Sequence, residues 1–319
     1  NASNVLNATA HGLSNGGRVM LSTTGTTTLQ EMTHFDGGND WLNIAEGTLG
    51  ATDGKSFTIC FYIRMLADST TARILSTTNG RFNINLSTNN AIYFLMRDSS
   101  NNAALNGDSA ASLKVTDGLT HVAISIDAAN STGHIRLNND PAIALSVTNR
   151  TIDITQADFV IGDTTGGGGV KINADIGRFY LTQEYIDISN NTNLAKFIDA
   201  DNNPVDMGAN GSTPSGNQPL IFLNNAFGTF QTNAGSGGNF TENGTLTQGT
   251  NLTETDLPAG LSTLPTYHVV NKTANTFQVA ATNGGAAVTF SDDGTGTHTV
   301  RSVTQTTLAD KGDYGTGKT

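Results

Sequence analysis

The sequence has a single cysteine, a single tryptophan and no long apolar run. Cys60 cannot form a disulfide within the chain, and a zinc site built from several cysteines is excluded. No stretch reaches the roughly 18–20 apolar residues of a membrane-spanning helix. We therefore expect neither a disulfide framework nor a membrane anchor.

Charged residues are also scarce, at 13% of the chain, and acidic residues outnumber basic ones by 27 to 16. The formal net charge is -11, and lysine and arginine never form a run. Because binding to a phosphate backbone needs clustered cations, nucleic acid is not an expected partner.

Glutamate is too sparse for the close pair of carboxylates that glycoside hydrolysis needs. No two glutamates lie within six positions of each other: Glu31, Glu46, Glu184, Glu242 and Glu254. The six histidines are scattered, and no Gly-x-Ser-x-Gly motif occurs. We predict that the protein is not an enzyme.

The most informative stretch that is present is SFTICFYIRM, residues 56–65. Its apolar and polar side chains alternate without interruption, which indicates a half-buried strand. Ten further short strands are predicted, separated by Asp-Gly and Asn-Gly turns: 41–45, 72–77, 81–86, 91–97, 111–115, 120–126, 133–138, 142–146, 158–161 and 173–181. One short helix is predicted within residues 184–199, with Ser189 as its N-cap. This pattern predicts an all-β antiparallel sandwich with one short helix.

The two flanks form smaller β patterns. Residues 4–26 predict a hairpin with its turn at Asn15-Gly16-Gly17. Residues 256–300 alternate apolar positions such as Val269, Phe277 and Val279, which predicts a β unit of about 50 residues with a thin core. Residues 304–319 lack periodicity and are expected to be an extended tail.

Several blocks resemble a concanavalin-A-like, laminin-G-like jelly roll, in the version found in bacteriophage tail and virion proteins. The blocks are FDGGNDWL, SFTICFYIRM, GLTHVAISID, ADFVIGD and EYIDISNNTNLAKFID. The resemblance implies a jelly-roll sandwich over residues 34–250.

The flanks resemble two halves, 1–30 and 255–303, of one small β module that recurs in phage tail and fibre proteins. This resemblance implies that the jelly roll is inserted into a loop of that module. Residues 5–22 should then pair or pack with residues 265–300, because inserted domains join exposed loops whose ends lie close together.

The double resemblance implies a non-enzymatic structural protein of a phage virion: a tail, fibre or head-appendage component on the particle surface. Its expected partners are other virion proteins and other copies of itself, with a trimer as the first expectation. Two alternatives stay open. One is a lectin that recognises polysaccharide on the host surface, and the other is an extracellular bacterial adhesin, which would carry an export signal upstream of Asn1.

Candidate ligand-binding residues are Trp41, Tyr62 and Arg64. Glycan binding calls for exposed aromatic rings beside polar side chains, and Tyr62 and Arg64 lie on the polar face of the 56–65 strand. The alternative for Trp41 is that it packs in the core.

Calcium is the one candidate cofactor, because laminin-G-like domains often bind it through loop oxygens at one rim. The candidate ligands are Asp36, Asn39, Asp40, Asp163 and Asp175. The alternative is that these side chains are simply solvated.

Overall fold

A computed structural model describes residues 5–24, 27–68, 71–155, 157–163, 170–254, 257, 260–261, 266–290 and 297–303. The chain divides into two compact units. One, the jelly-roll unit, is Leu29–Leu252; the other, the small β unit, combines Asn1–Thr28 with Thr253–Thr319. Among the described residues, no helix is long and apolar enough to cross a membrane.

The regular secondary structure of the described residues is almost entirely β, with one α-helical turn, α1 (Asn191–Leu194), and three 3-10 turns. The strands are β1 (Leu6–Asn7), β2 (Arg18–Thr24), β3 (Thr27–Gln30), β4 (Thr33–Asp36), β5 (Trp41–Ile44), β6 (Ser56–Met65), β7 (Ala72–Thr77), β8 (Phe82–Leu86), β9 (Ala91–Arg97), β10 (Ala103–Ser112), β11 (Leu119–Asp127), β12 (Thr132–Leu137), β13 (Ile143–Ala144), β14 (Phe159–Ile161), β15 (Asn173–Thr182), β16 (Ile221–Leu223), β17 (Thr241–Asn243), β18 (Thr247–Gln248), β19 (Leu252–Glu254), β20 (Tyr267–Val270), β21 (Thr276–Ala280) and β22 (Thr297–Ser302).

Two antiparallel sheets form the jelly-roll unit. The seven-stranded sheet has the order β10-β9-β8-β7-β14-β5-β17. The eight-stranded sheet has the order β13-β12-β11-β6-β15-β4-β18, and β16 pairs with β15 beside this path. The predicted antiparallel jelly-roll sandwich is therefore confirmed.

The main core lies between these two sheets and explains the alternation in β6. The five apolar side chains of β6 are all buried in it: Phe57, Ile59, Phe61, Ile63 and Met65. They meet side chains such as Phe82 of the opposite sheet, whose ring centroid lies 5.4 Å from that of Phe57. The prediction that 56–65 is a central core strand is confirmed, since β6 lies between β11 and β15.

The outer face of the central strands of the eight-stranded sheet is also buried, under a covering layer formed by residues 186–207. Cys60 and Tyr62 of β6 pack here with buried side chains such as Phe197 and Met207. Burial raises the pKa of the Cys60 thiol, so this cysteine is an inert packing residue.

The small β unit contains a five-stranded sheet with the order β1-β21-β20-β2-β22. The expected pairing of the two flanks is observed: β1 pairs with β21, and β2 pairs with both β20 and β22. The predicted hairpin of residues 4–26 is wrong, because β20 and β21 lie between β1 and β2. A buried cluster that includes Val19, Val269 and Phe277 forms the core of this unit.

Three local predictions need correction. The N-cap of α1 is Asn190, whose side chain accepts a hydrogen bond from the Thr192 amide (2.8 Å), and not Ser189. A strand was expected at 111–115, but β10 ends at Ser112 and begins much earlier, at Ala103. The tail at 304–319 and most of the glycine-rich run at 164–170 lie outside the described residues.

Candidate functional site

Several asparagine side chains lie on the outer face of the seven-stranded sheet. In β8, Phe82, Ile84 and Leu86 belong to the core, so Asn83 and Asn85 point to the opposite face. The strand registers place further asparagines on that same face: Asn43, Asn106 and Asn243. One amide pair bonds directly, Asn243 Nδ2 to Asn43 Oδ1, at 2.7 Å.

Two aromatic side chains lie on this face. Trp41 of β5 is half-buried, belongs to none of the described hydrophobic clusters, and has the Lys171 ammonium 5.5 Å from its ring centroid. Tyr93 of β9 is half-buried and donates its hydroxyl to Asn106 Oδ1 at 2.6 Å. Four strand spacings separate β5 from β9, or about 19 Å, so the face is long enough for several sugar rings.

Three buried polar atoms on this face have no hydrogen-bond partner: Arg73 Nε, Asn83 Oδ1 and Asn85 Oδ1. Asn83 and Asn85 are only 3% and 4% exposed. An unpaired buried polar group lowers the stability of the folded protein by about 1–3 kcal/mol. We therefore expect such groups to bind either an ordered water molecule or a ligand. Cross-strand register aligns Arg73 with Asn85, Asn85 with Tyr93 and Tyr93 with Asp108. We call these four residues the Arg73 row.

Tyr62 does not reach the surface, and its expected role as an exposed platform is wrong. It is 1% exposed, its ring lies 4.9 Å from that of His121, and its hydroxyl donates to the Asn202 carbonyl at 3.1 Å. Strand alternation placed Tyr62 correctly on the outer side of β6, but the covering layer packs over that side.

Arg64 also lies on the outer side of β6, where it faces protein groups. Its guanidinium donates to the Thr250 carbonyl (3.3 Å) and lies 3.9 Å from the buried carboxylate of Asp175. The structure therefore brings neither Tyr62 nor Arg64 to the face that carries Trp41.

Among the five calcium candidates, Asp36 and Asp40 accept hydrogen bonds from backbone amides. Asp36 Oδ1 accepts from the amides of Gly38 (2.6 Å) and Asn39 (3.1 Å), hydrogen bonds that hold the pKa of Asp36 below its usual value. Asp40 is buried, and its two oxygens accept from the amides of Thr245 and Asp36.

The other two carboxylates are also engaged by the fold. Asp175 Oδ1 lies 2.9 Å from His34 Nδ1, and its Oδ2 accepts from the Thr250 amide. Asp163 is buried, with the Lys171 ammonium 3.8 Å away. Within the described ranges, no three acidic, histidine or cysteine side chains are grouped to hold a metal ion. These residues do not form a calcium cage as arranged, and calcium binding stays a prediction.

A separate cleft of about 520 Å³ opens at the end of β15 and the start of β6. Glu184, Tyr185 and Lys196 are among its lining residues. Glu184 Oε1 accepts from Asn217 Nδ2 at 2.6 Å, whereas Glu184 Oε2 is buried without a partner. We call this the rim cleft; it is the main alternative location for a ligand.

Sequence reasoning found Trp41 but missed Arg73, Asn83 and Asn85. The available signal was the alternation in FNINL, which places two asparagines opposite three core residues. It could not show that both amide oxygens are buried without a hydrogen-bond partner, because this depends on the strands that flank β8.

Comparisons with known proteins agree with the observed fold. Residues 36–185 match the family model of the concanavalin A-like lectin/glucanases superfamily. No curated protein matches the chain in sequence. Among similar solved structures is a proposed carbohydrate-binding protein from Bacteroides ovatus, 14% identical, with a TM-score of 0.51 over 75% of this chain and 70% of that one.

Weaker similarities extend to two animal proteins. A SAP-like pentraxin from Limulus polyphemus is 13% identical, with a TM-score of 0.38 over 74% of this chain and 96% of that one. Domains LG4-5 of the mouse laminin alpha1 chain are 15% identical, with a TM-score of 0.38 over 52% of this chain and 45% of that one. The family match and the Bacteroides structure, together with the two packed antiparallel sheets, show that the jelly-roll unit has the fold of a concanavalin A-like, laminin-G-like jelly roll.

Proposed function

We propose that this protein binds carbohydrate on the outer face of the seven-stranded sheet. The observation on which the proposal rests is that Trp41 and Tyr93 share one face with two buried asparagine side chains whose amide oxygens have no hydrogen-bond partner. Sugars present apolar ring faces together with many hydroxyl groups, so aromatic rings and amide oxygens are the matching protein groups.

The opposite sheet supports this choice of face. On its outer side, hydrophobic packing around Tyr62, Phe197 and Met207 covers the central strands β6, β11 and β15. The similar Bacteroides structure is described as a proposed carbohydrate-binding protein, which agrees with this function.

A glycan array with the full chain tests the proposal. We expect Trp41→Ala and Tyr93→Ala each to weaken binding by roughly two- to tenfold, because each removes an aromatic contact with a sugar face. Contacts between aromatic rings are worth about 0.5–1.5 kcal/mol, and a tenfold change in affinity corresponds to about 1.4 kcal/mol. Tyr185→Ala, in the rim cleft, is the matched control and should bind like the unmodified protein. Loss of binding in Tyr185→Ala alone would move the site to the rim cleft, and no bound glycan would contradict the function.

The same experiment also tests whether calcium is needed for glycan binding. Because the candidate carboxylates already contact donor groups of the protein, we expect glycan binding and the melting temperature to be the same with a chelator as with added calcium. A chelator that abolishes binding would restore the prediction of a calcium-dependent rim site.

We also propose a biological setting, a non-enzymatic component of a phage virion that displays the jelly roll outward as a trimer. The resemblance of the flanks to a phage tail and fibre module favours this setting, and the pairing of β2 with β20 and β22 agrees with two halves of one module. A host-surface polysaccharide would then be the ligand. Sedimentation of the full chain should give a trimer, and a monomer at all concentrations would count against this setting.

A further inference from the structure

We propose that the carbohydrate bound on this face is acidic, and that Arg73 receives its anionic group. This inference rests on the proposed function and adds the ligand class. It comes from a feature of the face that a neutral sugar does not explain, a half-buried arginine, Arg73, that has neither an acidic partner nor an acceptor for its buried Nε.

Arg73 differs from other arginines of the jelly-roll unit in its surroundings. Arg81 and Arg150 form ion pairs with Asp153 and Asp98, and Arg64 lies near Asp175. Among the described residues, no acidic side chain forms an ion pair with Arg73, and its Nε is buried without an acceptor. Burial lowers the pKa of Arg73, which means that the charged form is destabilised where it stands.

A carboxylate or sulfate bound to Arg73 would stabilise the charged guanidinium and so offset the cost of its burial. A guanidinium presents parallel N–H groups that match the two oxygens of such an anion, and charge-assisted hydrogen bonds of this kind are stronger than neutral ones. The chain as a whole is acidic, with a net charge of -11, so attraction of an anion has to come from a local cation.

The rest of the Arg73 row supplies groups for the sugar itself. Asn85 Oδ1 can accept from a hydroxyl, and Tyr93, on the next strand, offers a ring face. Asp108 is exposed and lies beyond Tyr93, three strand spacings or about 14 Å from β7, too far to neutralise Arg73. Asn85 lies between Arg73 and Tyr93 in the strand register, so a sugar can reach its buried oxygen only if one of these two half-buried side chains moves aside.

The test compares acidic and neutral glycans on the full chain. An array that carries neutral, carboxylated and sulfated oligosaccharides identifies ligands, and titration calorimetry then compares oligogalacturonate with its methyl ester and a sulfated galactan with its neutral form. We expect binding to at least one acidic class, at least tenfold weaker binding when its charge is removed, and the same loss in Arg73→Gln.

Two further variants distinguish the loss of a contact with the ligand from misfolding of the protein. Arg73→Lys keeps the charge but not the paired donors and should bind with intermediate affinity. Arg97→Gln removes an arginine of β9 that already bonds Asn101 Oδ1 (3.1 Å), and should bind like the unmodified protein. Melting temperatures of all variants show whether each is folded.

The outcomes separate the two proposals. Neutral glycans bound equally by the unmodified protein and Arg73→Gln would overturn the acidic ligand and leave carbohydrate binding intact. No glycan bound at all would overturn both. Water as the only partner of Asn85 and Arg73 in a crystal grown with the acidic oligosaccharide would also overturn the acidic ligand.

Discussion

At the residue scale, Asn85 links stability to function. Its buried oxygen has no partner in the free protein, which is an energetic cost that an apolar side chain of similar size would not carry. We predict that Asn85→Leu raises the free energy of unfolding by about 1 kcal/mol in urea titrations and weakens glycan binding. Asn106→Leu is the control, because Asn106 is exposed and bonded to Tyr93, and it should not gain stability. A destabilised Asn85→Leu would mean that the amide is satisfied.

The buried side chain of His121 is expected to make the free energy of unfolding depend on pH. Its pKa is lowered to about 3, chiefly by burial and also by the charge of Arg178. An unfolded histidine has a pKa near 6.5, so between about pH 6.5 and 3 the unfolded chain binds a proton that the folded chain does not. Stability should therefore fall as the pH is lowered through this window, by up to about 1.4 kcal/mol per pH unit from this group.

The variant His121→Phe isolates this contribution. Phenylalanine cannot bind a proton and keeps an aromatic ring against Tyr62. We predict a shallower loss of stability in the variant when urea unfolding is compared between about pH 7 and about pH 4. Equal slopes for both proteins would show that His121 is not the titrating group.

At this scale, the sequence correctly predicted the side of β6 on which each side chain lies. It did not predict that a second layer of the structure covers the outer side. It assigned Tyr62 to the outer side of β6, which is correct, and inferred exposure, which is not. The residues that cover Tyr62, such as Phe197 and Met207, are more than 130 positions away in sequence. Nothing in the period of a strand indicates whether a second layer packs on its polar side.

At the element scale, the strands with the most regular alternation of apolar side chains were predicted well. The bounds of β6, β7 and β9 match the predicted ones because their apolar side chains alternate against the core. The hairpin of residues 4–26 failed because an Asn-Gly turn reports only local geometry. The partners of β2 come from residues 267–270 and 297–302, which no local signal could indicate.

The covering layer offers a prediction at this scale. Phe197 is buried beyond α1 and packs edge-on against Tyr180, with ring centroids 5.4 Å apart. Phe197→Ala should lower the free energy of unfolding by about 3–5 kcal/mol, because it leaves a cavity under the layer. Any variant that remains folded should still bind glycan on the other sheet, and loss of binding in a folded variant would contradict the assignment of the face.

At the scale of the whole molecule, two units with separate cores share one chain. Phe277 is fully buried in the core cluster of the small β unit. Among the described residues, this cluster and the main jelly-roll core have no residue in common. We predict that Phe277→Ala lowers the melting temperature of one calorimetric transition and leaves a second, larger one in place, because the cavity affects one core only. A single transition that moves as a whole would show that the units unfold together.

The most direct test of carbohydrate binding is a crystal structure of the protein with the tightest oligosaccharide from the array. We predict sugar rings on the outer face of the seven-stranded sheet, in contact with Tyr93 and with an anionic group on Arg73. A sugar bound instead in the rim cleft beside Glu184 and Tyr185, with the Arg73 row unoccupied, would contradict this account.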